Sequence, residues 1–296
     1  MSLAAELQTT VAGLADGAGR SVVGIGTRWG AGSGIVVGPG RVVTNAHNLR
    51  RDEVKVTFFD GREAIGKPVG VDVDGDLAVI EVDTQDAPAI GWSDATPTIG
   101  MAVFALSNPG GRGLRVTFGL VSGTERSFRG PRGRRIPGSI EHTAPLLPGS
   151  SGGPTVDPDG RLLGINTNRL GEGFYLAIPA GDALQRRVEA LGQGETPSRA
   201  HLGLGLAPSH VARGMRRAVG LPEKDGLLVR VVEEDGPAAA AGLKEGDLIT
   251  EADGRAVTTA DDLYDVLQGL TTDKPLSLGI VRGAEELSVE VTPAHG

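Results

Sequence analysis

No cysteine occurs in the 296 residues, so disulfides, thiolate metal sites and cysteine nucleophiles are all excluded. No His-Glu-x-x-His segment is present either, and the sequence implies no metal and no cofactor. Nowhere does an apolar run approach the ~18 residues that a membrane-spanning helix needs. Residues 1–6, Met-Ser-Leu-Ala-Ala-Glu, lack the basic start and apolar block of a signal peptide. As a native N-terminus they imply a cytoplasmic protein; as a trimmed one they leave room for an exported protein, periplasmic or secreted. Net positive charge is missing too. The 29 basic and 37 acidic residues leave −8, which favours solubility and argues against a nucleic-acid partner.

What the chain has in abundance is turn chemistry. Its 47 glycines and 18 prolines punctuate short strands, as in all-β architectures. Hydrophobic residues, at 39%, suffice for cores of ordinary size, and the length predicts two domains. Runs at 54–59, 77–82, 102–107, 116–121 and 162–166 are rich in β-branched and apolar residues and read as strands. Their regular spacing suits a sandwich or a barrel. Gly181-Asp182-Ala183-Leu184 then opens a helix with Leu184, Val188 and Leu191 on one face. The polar stretch 193–200, which includes Gln193-Gly194-Glu195-Thr196-Pro197-Ser198, reads as a linker between a domain over 1–192 and one over 201–296. Beyond it Leu202-Gly203-Leu204-Gly205-Leu206 starts a strand. Thr259-Ala260-Asp261-Asp262 resembles a capping box with Asp in place of Glu, heading a helix with Leu263, Val266, Leu267 and Leu270 on one face.

Chemistry concentrates in Pro148-Gly149-Ser150-Ser151-Gly152-Gly153-Pro154. A serine hydroxyl attacks carbonyls poorly unless a base takes its proton and something receives the developing negative charge. Glycines around Ser151 let the N–H groups of Gly149 and Ser151 converge as an oxyanion hole. A Gly/Ser/Pro run is also what any surface turn looks like. Upstream, Arg41-Val42-Val43-Thr44-Asn45-Ala46-His47 ends an apolar strand on a histidine. Between the two, Asp72, Asp74 and Asp76 crowd the turn before Leu77-Ala78-Val79-Ile80. A triad needs a base and a carboxylate that fixes the imidazole tautomer. The order His, Asp, Ser is that of chymotrypsin-type proteases.

On these residues the sequence resembles the trypsin-like serine proteases of the HtrA/Deg group, in which a PDZ domain follows the protease domain. The resemblance is carried by Gly32-Ser33-Gly34-Ile35-Val36-Val37, Thr44-Asn45-Ala46-His47 and Asp76-Leu77-Ala78-Val79. It continues in Gly149-Ser150-Ser151-Gly152-Gly153-Pro154, Gly164-Ile165-Asn166-Thr167 and Ala177-Ile178-Pro179. It implies a mainly β fold: a chymotrypsin-like double β-barrel followed by an α+β PDZ domain. It also implies that His47 is the base, Asp76 its carboxylate and Ser151 the nucleophile of an ATP-independent endopeptidase acting on unfolded or misfolded proteins. Asp76 is preferred to Asp72 and Asp74 because the group places its carboxylate directly before the Leu-Ala-Val strand. His142, His201, His210 and His295 match no such context and read as surface or packing residues. Ser150 stands where the group commonly carries Asn.

Further site residues follow from the same resemblance. Pro145, six before Ser151, falls at the base of the specificity pocket. An uncharged floor there predicts cleavage after small or medium aliphatic residues. Asn166, Thr167 and Asn168 offer strand pairing to substrate, and Leu176, Ala177 and Ile178 an apolar wall. In the second domain, Gly236-Pro237-Ala238-Ala239-Ala240-Ala241-Gly242-Leu243-Lys244-Glu245-Gly246-Asp247-Leu248-Ile249 matches the PDZ pattern. Its groove takes an extended C-terminal peptide as an added strand. The backbone around Leu202, Gly203 and Leu204 holds the carboxylate, and Leu263 and Leu267 line the pocket. Arg126, Arg129, Arg132, Arg134 and Arg135 crowd one loop, which reads either as a solvated basic surface or as the sensor loop of the group. Relatives form homo-trimers through an N-terminal segment with aromatic residues, and residues 1–28 have none. A reading from another class is a PDZ-mediated holdase or scaffold with little proteolytic activity. Retention of all three triad members separates the two. A lipase-type elbow needs a strand-to-helix setting and Ser-Asp-His order, neither of which is found.

Overall fold

A computed structural model describes residues 2–26, 32–130, 135–169, 171, 173–195, 200–268, 270 and 274–295, the side chains of residues 268 and 295 excepted. Among these residues the chain divides into two compact units, Met1–Thr196 and Pro197–Gly296.

The first unit opens with α1 (Leu3–Asp16), which is capped by Ser2 and packs Leu7, Val11 and Leu14 inward at helical spacing. Six strands follow: β1 (Val22–Ile25), β2 (Gly32–Gly38), β3 (Arg41–Thr44), β4 (Val54–Thr57), β5 (Glu63–Asp72) and β6 (Leu77–Glu81). They close as a barrel in the order β1-β2-β3-β6-β5-β4. A second barrel is built from β7 (Ala102–Ser107), β8 (Arg115–Arg129), β9 (Arg135–His142), β10 (Pro154–Val156), β11 (Leu162–Arg169) and β12 (Tyr175–Pro179), in the order β10-β11-β12-β9-β8-β7. α2 (Asp182–Gly192) ends the unit.

Strand pleating explains why both faces of these strands are apolar. Successive side chains alternate, so Val42 and Ile80 fill the first barrel while Val43 and Val79 turn to the core shared with the second. Val103 and Leu163 fill the second barrel's lumen, and Phe104, Leu106, Leu162 and Ile165 face the shared core. The same rule corrects the expected apolar wall: Leu176 and Ile178 pack in the shared core, and Ala177 is equally buried. α2 adds Leu184, Val188 and Leu191 to that core. The start of the expected linker 193–200 is hydrogen-bonded to the end of α2. Gln193, Gly194 and Glu195 donate their amides to carbonyls of Glu189, Ala190 and Leu191 and so close the helix. At its other end, Ala200 is already paired with His295.

In the second unit β13 (Ala200–His201), β14 (Leu204–Ala207), α3 (Ser209–Ala218), β15 (Leu227–Val232), α4 (Pro237–Ala240), β16 (Leu248–Ala252), β17 (Arg255–Ala256), α5 (Ala260–Gln268), β18 (Leu276–Arg282), β19 (Glu285–Val291) and β20 (Ala294–His295) follow in turn. The main sheet runs β14-β15-β16-β18-β19, with β17 on β16, so β14 is an edge strand. Asp247, buried in the Gly-Asp-Leu-Ile motif, is gripped by two Arg282 nitrogens at 2.8 Å and accepts the Lys244 amide. At the head of α5, Asp262 accepts the Thr258 and Thr259 amides while the Asp262 amide donates to Thr259 Oγ1, a reciprocal capping box.

His142 is wholly buried in the second barrel. Its Nε2 donates to Asn166 Oδ1 at 2.9 Å, which leaves Nδ1 as a bare acceptor with no partner among the described residues. Asn166 also accepts from Thr155 Oγ1 at 2.7 Å and donates to Gly153 O at 3.0 Å, so this polar cluster lies directly under the loop that carries Ser151. Burial pushes the His142 pKa down to about 4, against a smaller upward pull from Asn166.

Two predictions test this packing. A Cβ at Gly70 on β5 would overlap the Leu191 carbonyl of α2, whereas one at Gly38 would meet nothing within 4 Å. Gly70→Ala should destabilise the first unit by about 2 kcal/mol and Gly38→Ala by less than about 1 kcal/mol, read by urea denaturation. The second concerns pH. His142 binds its proton less readily when folded (about 4) than when unfolded (near 6.5), so its contribution is complete above pH 6.5 and is lost as pH falls toward 4. Between pH 7 and 5 the parent should lose roughly 2 kcal/mol more stability than His142→Gln. Equal losses in both proteins would contradict it.

Candidate active site

Asp76 begins the site. It stands just before β6 with φ 51°, a left-handed backbone costing about 1 kcal/mol that Asp tolerates better than most residues. The turn that imposes this is itself clamped. Asp72 accepts the Gly75 amide at 2.9 Å and pairs with Arg187 of α2 at 2.7 Å. Asp72 is therefore a buried support of the turn and is absent from the cleft lining, as is half-buried Asp74.

Asp76 itself is 1% exposed and fully engaged. His47 Nδ1 lies 2.9 Å from each carboxylate oxygen, the His47 amide donates at 3.1 Å, and Thr167 Oγ1 donates at 2.6 Å. Asn45 anchors the Asp76 carbonyl at 3.0 Å. With Nδ1 turned to a carboxylate it carries the ring proton, and Nε2 is left as the acceptor facing the cleft. Thr167 thus gives its side chain to the carboxylate rather than to a substrate.

The loop that carries Ser151 is fixed from outside. Ser33 Oγ donates to Gly149 O at 2.9 Å and accepts the Asn108 amide at 3.0 Å. The Ser151 carbonyl accepts the Ser33 amide at 2.8 Å and Asn48 Nδ2 at 2.9 Å. Gly152 has φ 87°, and a Cβ there would overlap the Ser33 carbonyl, so only glycine fits. Ser150 is buried, and its hydroxyl bonds Ser107 Oγ at 3.1 Å. With these carbonyls tied away, the amides of Gly149 and Ser151 donate to no acceptor among the described residues. Ser151 Oγ donates to the Thr167 carbonyl at 3.0 Å and not to His47.

His47, Asp76, Gly149, Ser151, Thr167 and Asn168 share one cleft of about 440 Å3. Its apolar lining comes from Phe128, Leu146, Leu147 and Tyr175, and its rim carries Arg129 and Arg169. Several expected residues lie elsewhere. Pro145 is exposed on the approach to the loop and does not line the cleft. Asn166 is fully buried, with its side chain used on His142, Thr155 and Gly153, while its backbone pairs with Gly152 and Gly153. Leu176, Ala177 and Ile178 are core. Of the basic loop, Arg126 pairs with Glu141 and Arg129 sits opposite Arg135 across the β8–β9 ladder. Arg132 and Arg134 lie outside the described residues.

In the second unit, Leu202, Leu263 and Leu267 are buried in the core rather than open to a ligand. The carbonyls of Leu202 and Gly203 accept the Ala238 and Glu233 amides, each at 3.0 Å, while their own amides meet no acceptor among the described residues. Leu204 starts the edge strand beside them.

Ser33, Asn45 and Asn48 were within or next to the motifs that point to His47, but nothing in one sequence marks their partners. Leu146 and Leu147 carried a visible signal, two large apolar residues beside a glycine-rich turn.

A family model described as a trypsin-like peptidase domain matches residues 32–165, and one described as a PDZ domain matches 202–292. A probable periplasmic DegP-like serine endoprotease of Halomonas elongata is 33% identical over 269 residues, 88% of this chain and 56% of that protein. The putative serine protease HhoB of Synechocystis is 32% identical over 280 residues, covering 89% of this chain and 66% of its own length. The chain thus spans somewhat over half the length of such relatives. Among solved structures, the serine endoprotease from Yersinia pestis superposes with a TM-score of 0.71 at 26% identity, covering 97% of this chain and 98% of that one. The HtrA-type protease AlgW with tripeptide gives 0.67 at 29% identity, covering 97% of each chain. By its two domains and these relatives, the chain belongs to the HtrA/Deg group of trypsin-like serine proteases that carry a PDZ domain.

Proposed function

We propose that this chain is a serine endopeptidase that cleaves unfolded or misfolded proteins without ATP, through an acyl-enzyme on Ser151. The observation that carries the reading is the His47–Asp76 pair in one cleft with Ser151 and two unused amides. Ser151 Oγ attacks the substrate carbonyl carbon, and His47 Nε2 takes its proton. Asp76 holds the resulting imidazolium, and the Gly149 and Ser151 amides receive the oxyanion. Collapse breaks the C–N bond and His47 returns the proton to the leaving amine. Water then attacks the ester with His47 again as base, releasing a carboxylate and restoring Ser151.

The hydroxyl's bond to Thr167 O fits this sequence of events. That carbonyl is a natural acceptor for a substrate N–H, and a substrate that takes it releases Ser151 to turn toward His47. Geometry in the resting protein often tightens only on substrate binding. The apolar lining of Phe128, Leu146, Leu147 and Tyr175 supports cleavage after small or medium aliphatic residues. In the second unit, the edge of β14 and the unused amides of Leu202 and Gly203 support capture of a peptide C-terminus by strand addition. The sensor role of the basic loop and a trimeric assembly remain proposals carried by the family. The names of periplasmic relatives support work outside the cytoplasm.

A fluorophosphonate probe should label the parent protein at Ser151, and Ser151→Ala should lose both labelling and casein cleavage while keeping its fold by circular dichroism. Cleavage that persists in Ser151→Ala would overturn the assignment, and an unlabelled parent would favour a PDZ-mediated holdase or scaffold. Removing one oxyanion donor typically costs 10²–10³-fold in kcat. Ser33→Ala only unpins the peptide between the two donors, so kcat should fall roughly 10- to 100-fold with KM changed less than about three-fold. Unaltered kcat would show that the Ser33–Gly149 bond is dispensable.

A further inference from the structure

Asp76 is held at its carboxylate by His47 and Thr167 and at its carbonyl by Asn45. Its backbone on the β6 side is fixed by strand pairing, Leu77 with Asp72 and Ala78 with Thr44. The side that enters from Gly75 is held differently. Among the described residues the Asp76 amide reaches only Val73 O, at 3.4 Å, outside the usual range for an N–H donor. Meanwhile φ 51° is unfavourable for a residue with a Cβ, so Asp76 relaxes toward negative φ unless both of its neighbouring peptides are fixed. Gly75 cannot supply that restraint itself, because glycine turns readily through most of backbone space.

The restraint comes from α2. Arg187 Nη2 donates to Asp72 Oδ2 at 2.7 Å and, more weakly, to Gly75 O at 3.4 Å, while Asp72 Oδ1 accepts the Gly75 amide at 2.9 Å. One ion pair therefore grips Gly75 at its amide and at the carbonyl of the peptide that enters Asp76. A Cβ on Gly75 would overlap both Arg187 Nη2 and Asp72 Oδ2, so the pair also fills the place of a side chain there. The arginine stands on a fixed platform. Leu184, Val188 and Leu191 of α2 are buried in the shared core, and the Leu191 carbonyl lies close against Gly70 of β5.

We infer that Arg187 is a positioning residue for catalysis: through Asp72 and Gly75 it keeps Asp76 in its left-handed backbone, the rotation in which the carboxylate meets the His47 ring. Arg187 touches neither the cleft nor a substrate and acts through Asp76 alone. The inference rests on the endopeptidase reading, in which Asp76 holds the His47 imidazolium.

The test uses the whole chain. The Arg187 side chain is 35% exposed, so its replacement leaves no sealed cavity. Arg187→Gln should lower kcat on a fluorogenic peptide about 10- to 100-fold with KM changed less than about three-fold, since misplacing a reacting group by about 1 Å costs on the order of 10²-fold. Arg187→Lys returns a cation to Asp72 and should recover most of the loss. The decisive comparison is made in Asp76→Asn, read as the rate of fluorophosphonate labelling. There Arg187→Gln should cost less than about three-fold, because a residue that acts through Asp76 has no carboxylate left to position. An arginine that only stabilises the fold would cost the same in both backgrounds. Unaltered kcat in a folded Arg187→Gln, or equal losses in the two backgrounds, would overturn the inference. If circular dichroism shows Arg187→Gln unfolded, Asp72→Asn carries the same comparison, since it removes the charge and keeps an oxygen for the Gly75 amide. Full activity in Asp76→Asn would instead overturn the triad reading itself, and the inference with it.

Discussion

The first unit is organised around one buried carboxylate. Burying a charge is costly unless hydrogen bonds replace the lost water, and Asp76 obtains them from two different parts of the fold. The His47 amide and ring come from the end of the first barrel, and Thr167 Oγ1 comes from β11 of the second. The two barrels must therefore sit in one register for Asp76 to be satisfied, and in that register His47 and Ser151 line the same cleft. Arg187 and Asp72 extend the constraint outward, tying the turn before β6 to α2. Satisfaction of Asp76 and the placing of His47 in the cleft are the same event.

A second device works by polarity rather than charge. In the loop around Ser151 the fold uses up the carbonyl acceptors of Gly149 and Ser151. Ser33 Oγ takes the Gly149 carbonyl, and the Ser33 amide and Asn48 take that of Ser151. Among the described residues the donors of Gly149 and Ser151 are left over, and both residues line the cleft. Ser150 is held from below by Ser107, so the loop keeps its place with a hydroxyl where the family commonly has an amide. The buried His142–Asn166–Thr155 cluster supports the same loop through Gly153.

Most of this architecture could be read from the sequence because it is local. Short β-branched runs, the turn before Leu77 and the Thr259–Asp262 cap all depend on neighbours a few residues apart. Partnerships at long range could not be read. Ser33 and Gly149 are 116 residues apart, and Arg187 and Asp72 are 115 apart. Strand alternation shows which residues share a face but not what covers it. Leu176, Ala177 and Ile178 look equally suited to a pocket wall, and only closure of the barrel against a shared core buries all of them. For the same reason Leu263 and Leu267 form an evident apolar face on α5, yet that face is core. Asn166 and Thr167 sit side by side in one motif, and the pleat sends one to His142 and the other to Asp76.

The central claim is that the loop tied down by Ser33 and Asn48 presents the Gly149 and Ser151 amides to a developing oxyanion. A crystal structure of the protein with a peptidyl phosphonate joined to Ser151 tests it directly. The account predicts a phosphonyl oxygen about 2.7–3.1 Å from both amide nitrogens, the Ser33–Gly149 and Asn48–Ser151 bonds unchanged, and His47 still paired with Asp76. A phosphonyl oxygen bound away from those amides, or a Gly149 carbonyl turned off Ser33 into the cleft, would contradict it.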